Sequence, residues 1–300
     1  MEGLRHGGTA VASGHSRPAG NDGMTRRRAK PAGALAFTPP CLASAVRVPP
    51  EGDDWLHEIK HDGYRLQAHL ENGRVGLFSR QGLDWTERFP ALAHALADLP
   101  VKVAIIDGEA VVHTEAGIAS FTALVDALKS GRGDVAFYAF DLLYLDGFDL
   151  RDCPLDERKA ALAQIMAADG NNARLHYSDH IEGDGNAVFR HASRLGLEGI
   201  ISKMASSPYK SGRVKTWLKL KSSHTGSFVI SGFIPSTVDK AAVSALVMGE
   251  YAGKNLMPVG HVGSGFTAAS AGFASADWRP RAPASSSTSI TISRTPPTRS

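Results

Sequence analysis

Cysteine is almost missing from this 300-residue chain: only Cys41 and Cys153 occur, far apart. Two remote cysteines provide neither a disulfide framework nor the spacing of a metal site, so a reducing interior is expected. Long apolar runs are missing too. No window approaches the ~20 apolar residues of a membrane helix. Residues 1–30 hold Gly, Ser, Arg and small residues without the apolar stretch of a secretory signal. The expected compartment is the cytoplasm, with no membrane partner. Acids are absent from residues 281–300, which are mostly Ser, Thr, Pro and Arg. Such a segment buries too little apolar surface to order itself, and disorder is expected. A large charge of one sign is lacking as well. A net charge of +3 permits a nucleic-acid partner without demanding one.

What is present is a core. Hydrophobic residues make up 43% of the chain, enough for two domains or one large one. Residues 1–33 read as a flexible basic tail with Arg26, Arg27, Arg28 and Lys30 clustered in it. From Asp53 to Leu220 strand and helix patterns alternate. Arg65–Leu70 and Val75–Ser79 read as a hairpin across Glu71-Asn72-Gly73-Arg74. Ala91–Leu99, Phe121–Leu128, Glu157–Ala168 and Ala187–Leu195 read as helices. Val103–Ile106 and Ala110–His113 read as two strand arms around Asp107-Gly108-Glu109, and Val135–Tyr144 as a buried strand closed by Asp146-Gly147. Gly199–Met204 and Trp217–Lys221 read as short strands. Beyond Ser222, Phe228–Phe233, Ala245–Tyr251 and Val259–Val262 suit a small all-β barrel. The domain boundaries expected are 1–33, 34–222, 223–268 and a low-complexity tail at 269–300.

The segment Glu58-Ile59-Lys60-His61-Asp62-Gly63-Tyr64-Arg65 holds the most chemistry. By itself Lys60 reads as a surface lysine beside a hairpin turn, Asp62-Gly63. Four further segments share its character, each with a charged residue at a strand end. They are Ser79-Arg80-Gln81-Gly82, Asp107-Gly108-Glu109, Glu198-Gly199-Ile200-Ile201-Ser202-Lys203 and Trp217-Leu218-Lys219-Leu220-Lys221. Phe140-Asp141 adds an aromatic on a strand. Singly, each has an ordinary explanation as a turn cap, a core ring or an edge-strand charge. Their fixed order along the chain does not.

In this order the segments resemble the motifs of the covalent nucleotidyltransferase superfamily, and most closely the ATP-dependent DNA ligases of the bacterial ligase D type. The nucleophile motif Lys-x-Asp-Gly-x-Arg is matched by Lys60 to Arg65. Asp54-Trp55-Leu56-His57-Glu58 and Ser207-Pro208-Tyr209-Lys210-Ser211-Gly212-Arg213 resemble the ligase D subgroup, and the likeness runs from about Phe37 to Phe266. It implies an α+β fold: an ATP-grasp-like nucleotidyltransferase (adenylation) domain followed by a small, incomplete OB-fold β-barrel. It implies ATP and Mg2+ (or Mn2+), with Lys60 as the amine that accepts AMP. It places Glu58 at the adenine edge, Phe140 on the adenine face, and Arg65 and Arg80 on ribose or nick phosphate. Glu109 falls near the ribose and, with Glu198, on the metal. Lys203, Lys219 and Lys221 face the phosphates. The implied substrate is nicked double-stranded DNA in repair or recombination, handled by a nucleoid-associated monomer, with a Ku-like end-binding protein acting in trans.

One family motif has no match. The sixth, basic motif near the end of the barrel is expected after Phe266, where the composition turns abruptly to Ala, Ser, Thr and Pro. A change of reading frame near that point is the expected cause, with slow self-adenylylation as its consequence. The alternatives are an RNA ligase or capping-type nucleotidyltransferase, or a catalytically impaired nucleic-acid-binding remnant.

Overall fold

The computed structural model describes residues 30–31, 36–168, 172–222, 224–237, 243–263 and 289–292, in two compact units divided between Leu220 and Lys221. The first unit contains strands β1 (Lys30–Pro31), β2 (Cys41–Ala45), β3 (Trp55–Ile59), β4 (Tyr64–Glu71), β5 (Arg74–Ser79), β6 (Val103–Val112), β7 (Val135–Leu145), β8 (Phe148–Asp149), β9 (Leu175–Tyr177), β10 (Gly199–Met204) and β11 (Gly212–Lys221). Its helices are α1 (Pro90–Ala97), α2 (Phe121–Ser130), α3 (Leu155–Ala168) and α4 (Gly185–Arg194). Among the described residues they form two sheets. The larger runs β1-β8-β7-β6-β4-β5, with β9 beside β7; the smaller runs β2-β11-β10-β3.

Side-chain alternation sets the layers. In β4, Leu66, Ala68 and Leu70 point to one face and are buried with Leu92 and Leu96 of α1, Leu124 of α2 and Leu162 of α3. The alternate residues Arg65, Gln67 and His69 take the opposite face. In β6, Ala104, Ile106, Ala110 and Val112 join the helix-side core, while Ile105 packs toward the smaller sheet. A second core between the sheets unites Leu56 of β3, Ile105, Leu143 of β7 and Trp217 of β11. Helix α4 covers the far side of the smaller sheet through Val188 and Ala192 against Ile200 and Leu220. The unit is thus helices, sheet, sheet, helix, and β7 reads as continuously apolar because it is buried on both faces.

Local chemistry explains the turns. Asn72 (φ 50°) and Gly73 (φ 79°) both adopt the left-handed conformation that a two-residue hairpin needs, joining β4 to β5. The Ser120 hydroxyl caps α2 by accepting from Ala123 N at 3.3 Å, and Gly131 ends that helix with φ 65°.

Two glycines expected in turns do different work. Gly108 lies inside the unbroken strand β6, not between two arms, because a Cβ there would sit 2.3 Å from the Phe137 ring. Gly63 follows no hairpin: β3 and β4 belong to different sheets. Residues 60–63 carry the chain across between them, and a Cβ on Gly63 would lie 2.1 Å from the Ala110 carbonyl oxygen. Close backbone approach, rather than turn geometry, demands glycine at both positions.

In the second unit β13 (Val229–Pro235), β14 (Val243–Ala252) and β15 (Asn255–Val262) form an antiparallel meander. Strand β12 (His224–Ser227) pairs with β16 (Ser289–Ile292). The last pairing falls in the tail that composition marks as disordered; the alternating β-branched run Ile290-Thr291-Ile292 is a local strand signal inside it. Lys30 and Pro31, assigned to the N-terminal tail, pair with Phe148 and Asp149. Arg26 to Arg28 and the composition change after Phe266 lie outside the described residues. Among the described residues no helix is long and apolar enough to cross a membrane.

Candidate active site

Lys60 stands where the chain leaves the smaller sheet. Its backbone N–H donates to the Gly199 carbonyl (3.0 Å), fixing it beside the start of β10. Its ammonium forms an ion pair with Glu198, the residue before that strand, and lies 3.4 Å from the His61 carbonyl. Both side chains stay partly open, at 20% and 13% exposure. Asp62 turns away: its carboxylate accepts from Phe121 N at the start of α2 (3.2 Å), anchoring the crossover to the larger sheet's helix layer.

Opposite lies a row of cross-strand neighbours on the larger sheet. Arg65 of β4 pairs with Glu109 of β6, Glu109 with Tyr138 of β7, and Tyr138 with His176 of β9. Burial raises the Glu109 carboxyl to about 7 against the opposing pull of Lys60 and Arg65, with Glu198 and Asp107 adding to the rise. Two carboxylates, one from each sheet side, therefore share the field of one ammonium. Next to them His61 stacks on Tyr138 with ring centroids 4.1 Å apart, and His176 stacks on the same ring at 4.8 Å. Burial lowers the His61 imidazole to about 4.

Four of the residues expected on the ligand contact one another or buried neighbours. Glu58 and Lys203, expected at the adenine edge and the phosphates, are 2% exposed and face each other, Nζ to Oε2 at 2.8 Å. Lys159 of α3 reaches the other Glu58 oxygen at 2.8 Å and donates to the Ser178 carbonyl (2.7 Å). Burial alone would raise the Glu58 carboxyl, but Lys203 and Lys159 outweigh it and hold it low. The Phe140 ring, expected to be open to a base, is 9% exposed, with the Lys203 ammonium 4.4 Å from its centroid and Arg65 at 5.2 Å. Phe140 is the extra residue of a bulge: Asp107 pairs with Asp141, yet Gly108 pairs with Ala139. The Arg65 fork, expected on ribose or nick phosphate, grips Asp107 through Nε (2.9 Å) and Nη2 (2.6 Å) and donates to the Cys41 carbonyl (2.6 Å).

Arg80 is exposed and helps line a small cleft with Phe37, Pro40, Arg65, Gln67, Ser79 and Asp107. Lys219 is half-buried on β11, opposite Ala45 of β2, and Lys221 ends that strand. Sequence reasoning missed Lys159. Its signal was Arg158-Lys159 set among the apolar positions Leu155, Leu162, Ile165 and Met166 of one helix. Both are buried, and Arg158 clamps Asp141 of β7 through Nε (2.7 Å) and Nη2 (2.9 Å).

The ordering of these residues has a counterpart among known proteins. The family model described as ATP dependent DNA ligase domain matches residues 40–221. The chain belongs to the ATP-dependent DNA ligase domain family. Within it the chain is similar to ligase D. The multifunctional non-homologous end joining protein LigD of Pseudomonas aeruginosa is 41% identical over 273 residues, covering 89% of this chain and 31% of that protein. The crystal structure of the ligase domain of M. tuberculosis LigD is 34% identical with a TM-score of 0.53, covering 79% of this chain and 76% of that one. A mycobacterial DNA ligase D complexed with ATP and MES is 34% identical with a TM-score of 0.54, covering 76% and 73%. The chain spans under a third of the length of the LigD proteins it matches. The mixed fold, with its two sheets and few helices, is that of the ligase nucleotidyltransferase domain.

Proposed function

We propose that this chain seals nicks in duplex DNA with ATP, through AMP held on Lys60. The observation that carries this is the position of Lys60: on the crossover between two sheets, ion-paired to Glu198 and facing the Arg65–Glu109–Tyr138 row. An amine attacks a phosphate only as a free base and only in line with the leaving group. The backbone bond to Gly199 and the crossover glycine hold the Lys60 stem in place. Glu198 is the carboxylate in contact with its ammonium. The Lys60 nitrogen bonds to the α-phosphorus of ATP as pyrophosphate leaves. AMP then passes to the 5′-phosphate of a nick, and the 3′-hydroxyl displaces it.

Lys219 and Lys221 supply positive charge toward the phosphates. Phe140 takes the adenine face and Glu58 the adenine edge, with the Lys203 ammonium over the Phe140 ring and paired to Glu58. Glu109 lies toward the ribose. Arg65 and Arg80 line the cleft for the nick phosphate. Glu109 and Glu198 fit a hard divalent cation such as Mg2+, which commonly takes only one or two carboxylates and fills its shell with phosphate and water oxygens. That ion would spread the charge that builds on the transferring phosphate. Among the described residues no group of three or more His, Cys, Asp or Glu converges on a metal position.

The end-joining role named in the LigD relatives is theirs. For this chain we propose repair of nicks in the cytoplasm, at the nucleoid, as a monomer, with any Ku-like end-binding protein supplied in trans. The test is incubation with α-labelled ATP or GTP, followed by a nicked duplex with and without preformed DNA-adenylate. Label from ATP on the wild-type chain but not on Lys60→Ala, together with sealed product, is expected. Label from GTP, or label persisting in Lys60→Ala, would sink this reading.

A further inference from the structure

Tyr209 lies in the segment between β10 and β11 and has no part in the chemistry above. Its ring is buried at 5% exposure, yet its hydroxyl sits at the centre of a closed ring of hydrogen bonds. The hydroxyl donates to Asp107 Oδ2 at 2.6 Å. It accepts from Cys41 N at 3.1 Å. Asp107 in turn holds Arg65 by both carboxylate oxygens, and Arg65 Nη1 closes the circuit on the Cys41 carbonyl. The ring thus joins β2, β4, β6 and the 205–211 segment. Arg65 is fixed on its faces as well, with its guanidinium carbon 5.2 Å from the Phe140 ring centroid and 5.8 Å from that of Trp217.

The Arg65 side chain is 16% exposed and lines the cleft formed with Phe37, Pro40, Gln67, Ser79 and Arg80. That cleft brings together two guanidiniums, of Arg65 and Arg80, the donors an oxyanion takes. It also contains one carboxylate, Asp107, which would repel an anion unless compensated. Arg65 and the Tyr209 hydroxyl together supply that compensation, and burial with the nearby Asp107 charge keeps the phenol protonated.

We propose that Tyr209 is a positioning residue for Arg65: through Asp107 its hydroxyl fixes the guanidinium in the orientation that receives the terminal 5′-phosphate of a nicked duplex. This rests on the nick-sealing reading above. Tyr209→Phe keeps the ring and removes only the hydroxyl. Charge on Asp107 is then less well compensated, and Arg65 loses one side of its frame.

The experiment uses the full chain and two nicked duplexes that differ only in a 5′-phosphate or a 5′-hydroxyl at the nick. Binding preference for the phosphorylated duplex is measured alongside the single-turnover rate of AMP transfer from preformed lysyl-AMP. In Tyr209→Phe we expect the preference and the transfer rate each to fall about tenfold, the scale of one hydrogen bond to a charged group. Lysyl-AMP formation from ATP should change far less than either. Adding Tyr209→Phe to Asp107→Asn should lower the preference no further, since both act through one contact. An unchanged preference in Tyr209→Phe, or an equal fall in affinity for both duplexes and in lysyl-AMP formation, overturns the proposal and leaves Tyr209 a packing residue. A wild-type chain that seals no nick and transfers no AMP overturns the underlying reading instead.

Discussion

Single residues decide whether this slot can work, and the crossover glycine is the sharpest case. A Cβ at Gly63 would lie 2.1 Å from a backbone oxygen, with no flexible side chain to yield. Gly63→Ala should therefore shift the Lys60 segment and cut lysyl-AMP formation by ~100-fold, read by label transfer from ATP, with a lowered melting temperature. Histidine gives the pH prediction. The Gln67 amide donates to the Thr38 carbonyl, so its oxygen is the acceptor for His69 Nε2, and His69 is held as a neutral Nε2–H tautomer. Burial lowers both His69 and His61 from 6.5 to about 4. A base whose folded value is depressed binds fewer protons than the unfolded chain between those limits. The stability linked to these imidazoles is then present in full above pH 6.5 and is lost as pH falls toward 4. Replacing His69 by Phe should flatten the fall in melting temperature over pH 6.5 to 4; an unaltered slope would refute the assignment.

Among the elements, α3 is the one whose role composition hides. Arg158 and Asp141 form a pair with both side chains at 0% exposure, and Arg158 also donates to the Cys153 and Ser207 carbonyls. Removing one partner of such a pair leaves a buried charge, so Arg158→Ala should cost about 3–5 kcal/mol in denaturant unfolding. Lys cannot restore the fork, and Arg158→Lys should recover little of the loss. Much at this scale was legible. The Asn72-Gly73 hairpin, the four helices and the three strands after Ser222 follow from turn chemistry and periodicity. The order of the motifs singles out Lys60, Glu109 and Glu198, and the structure brings the three together. What stayed hidden depends on partners remote in sequence. Gly108 looks like a turn until Phe137 is seen against it. The ion pair of Glu58 and Lys203, 145 residues apart, has no local signature. The Phe140 bulge shifts its strand's facing by one residue, which no alternation pattern announces.

For the whole molecule, a ligase must bind duplexes of any sequence, so its contacts should be to phosphate. Affinity for a nicked duplex should drop steeply with salt, with a log–log slope of about −0.9 per neutralised phosphate. It should also be insensitive to base sequence, while lysyl-AMP formation from ATP changes far less. Titrating binding by fluorescence anisotropy across ionic strengths checks this, and a flat response would argue for base readout instead.

The peptide that carries Lys60 also ties the two sheets of the first unit to each other. Its N–H is bonded into the smaller sheet through Gly199, and two residues later Asp62 is tied to α2 beside the larger one. The nucleophile's backbone is therefore held from both sides, and any change in the spacing of the sheets would reach it directly. The Lys60 amide becomes a built-in strain gauge. Its hydrogen exchange should slow when ATP draws the two sheets onto one ligand, a signal that precedes any bond to phosphorus.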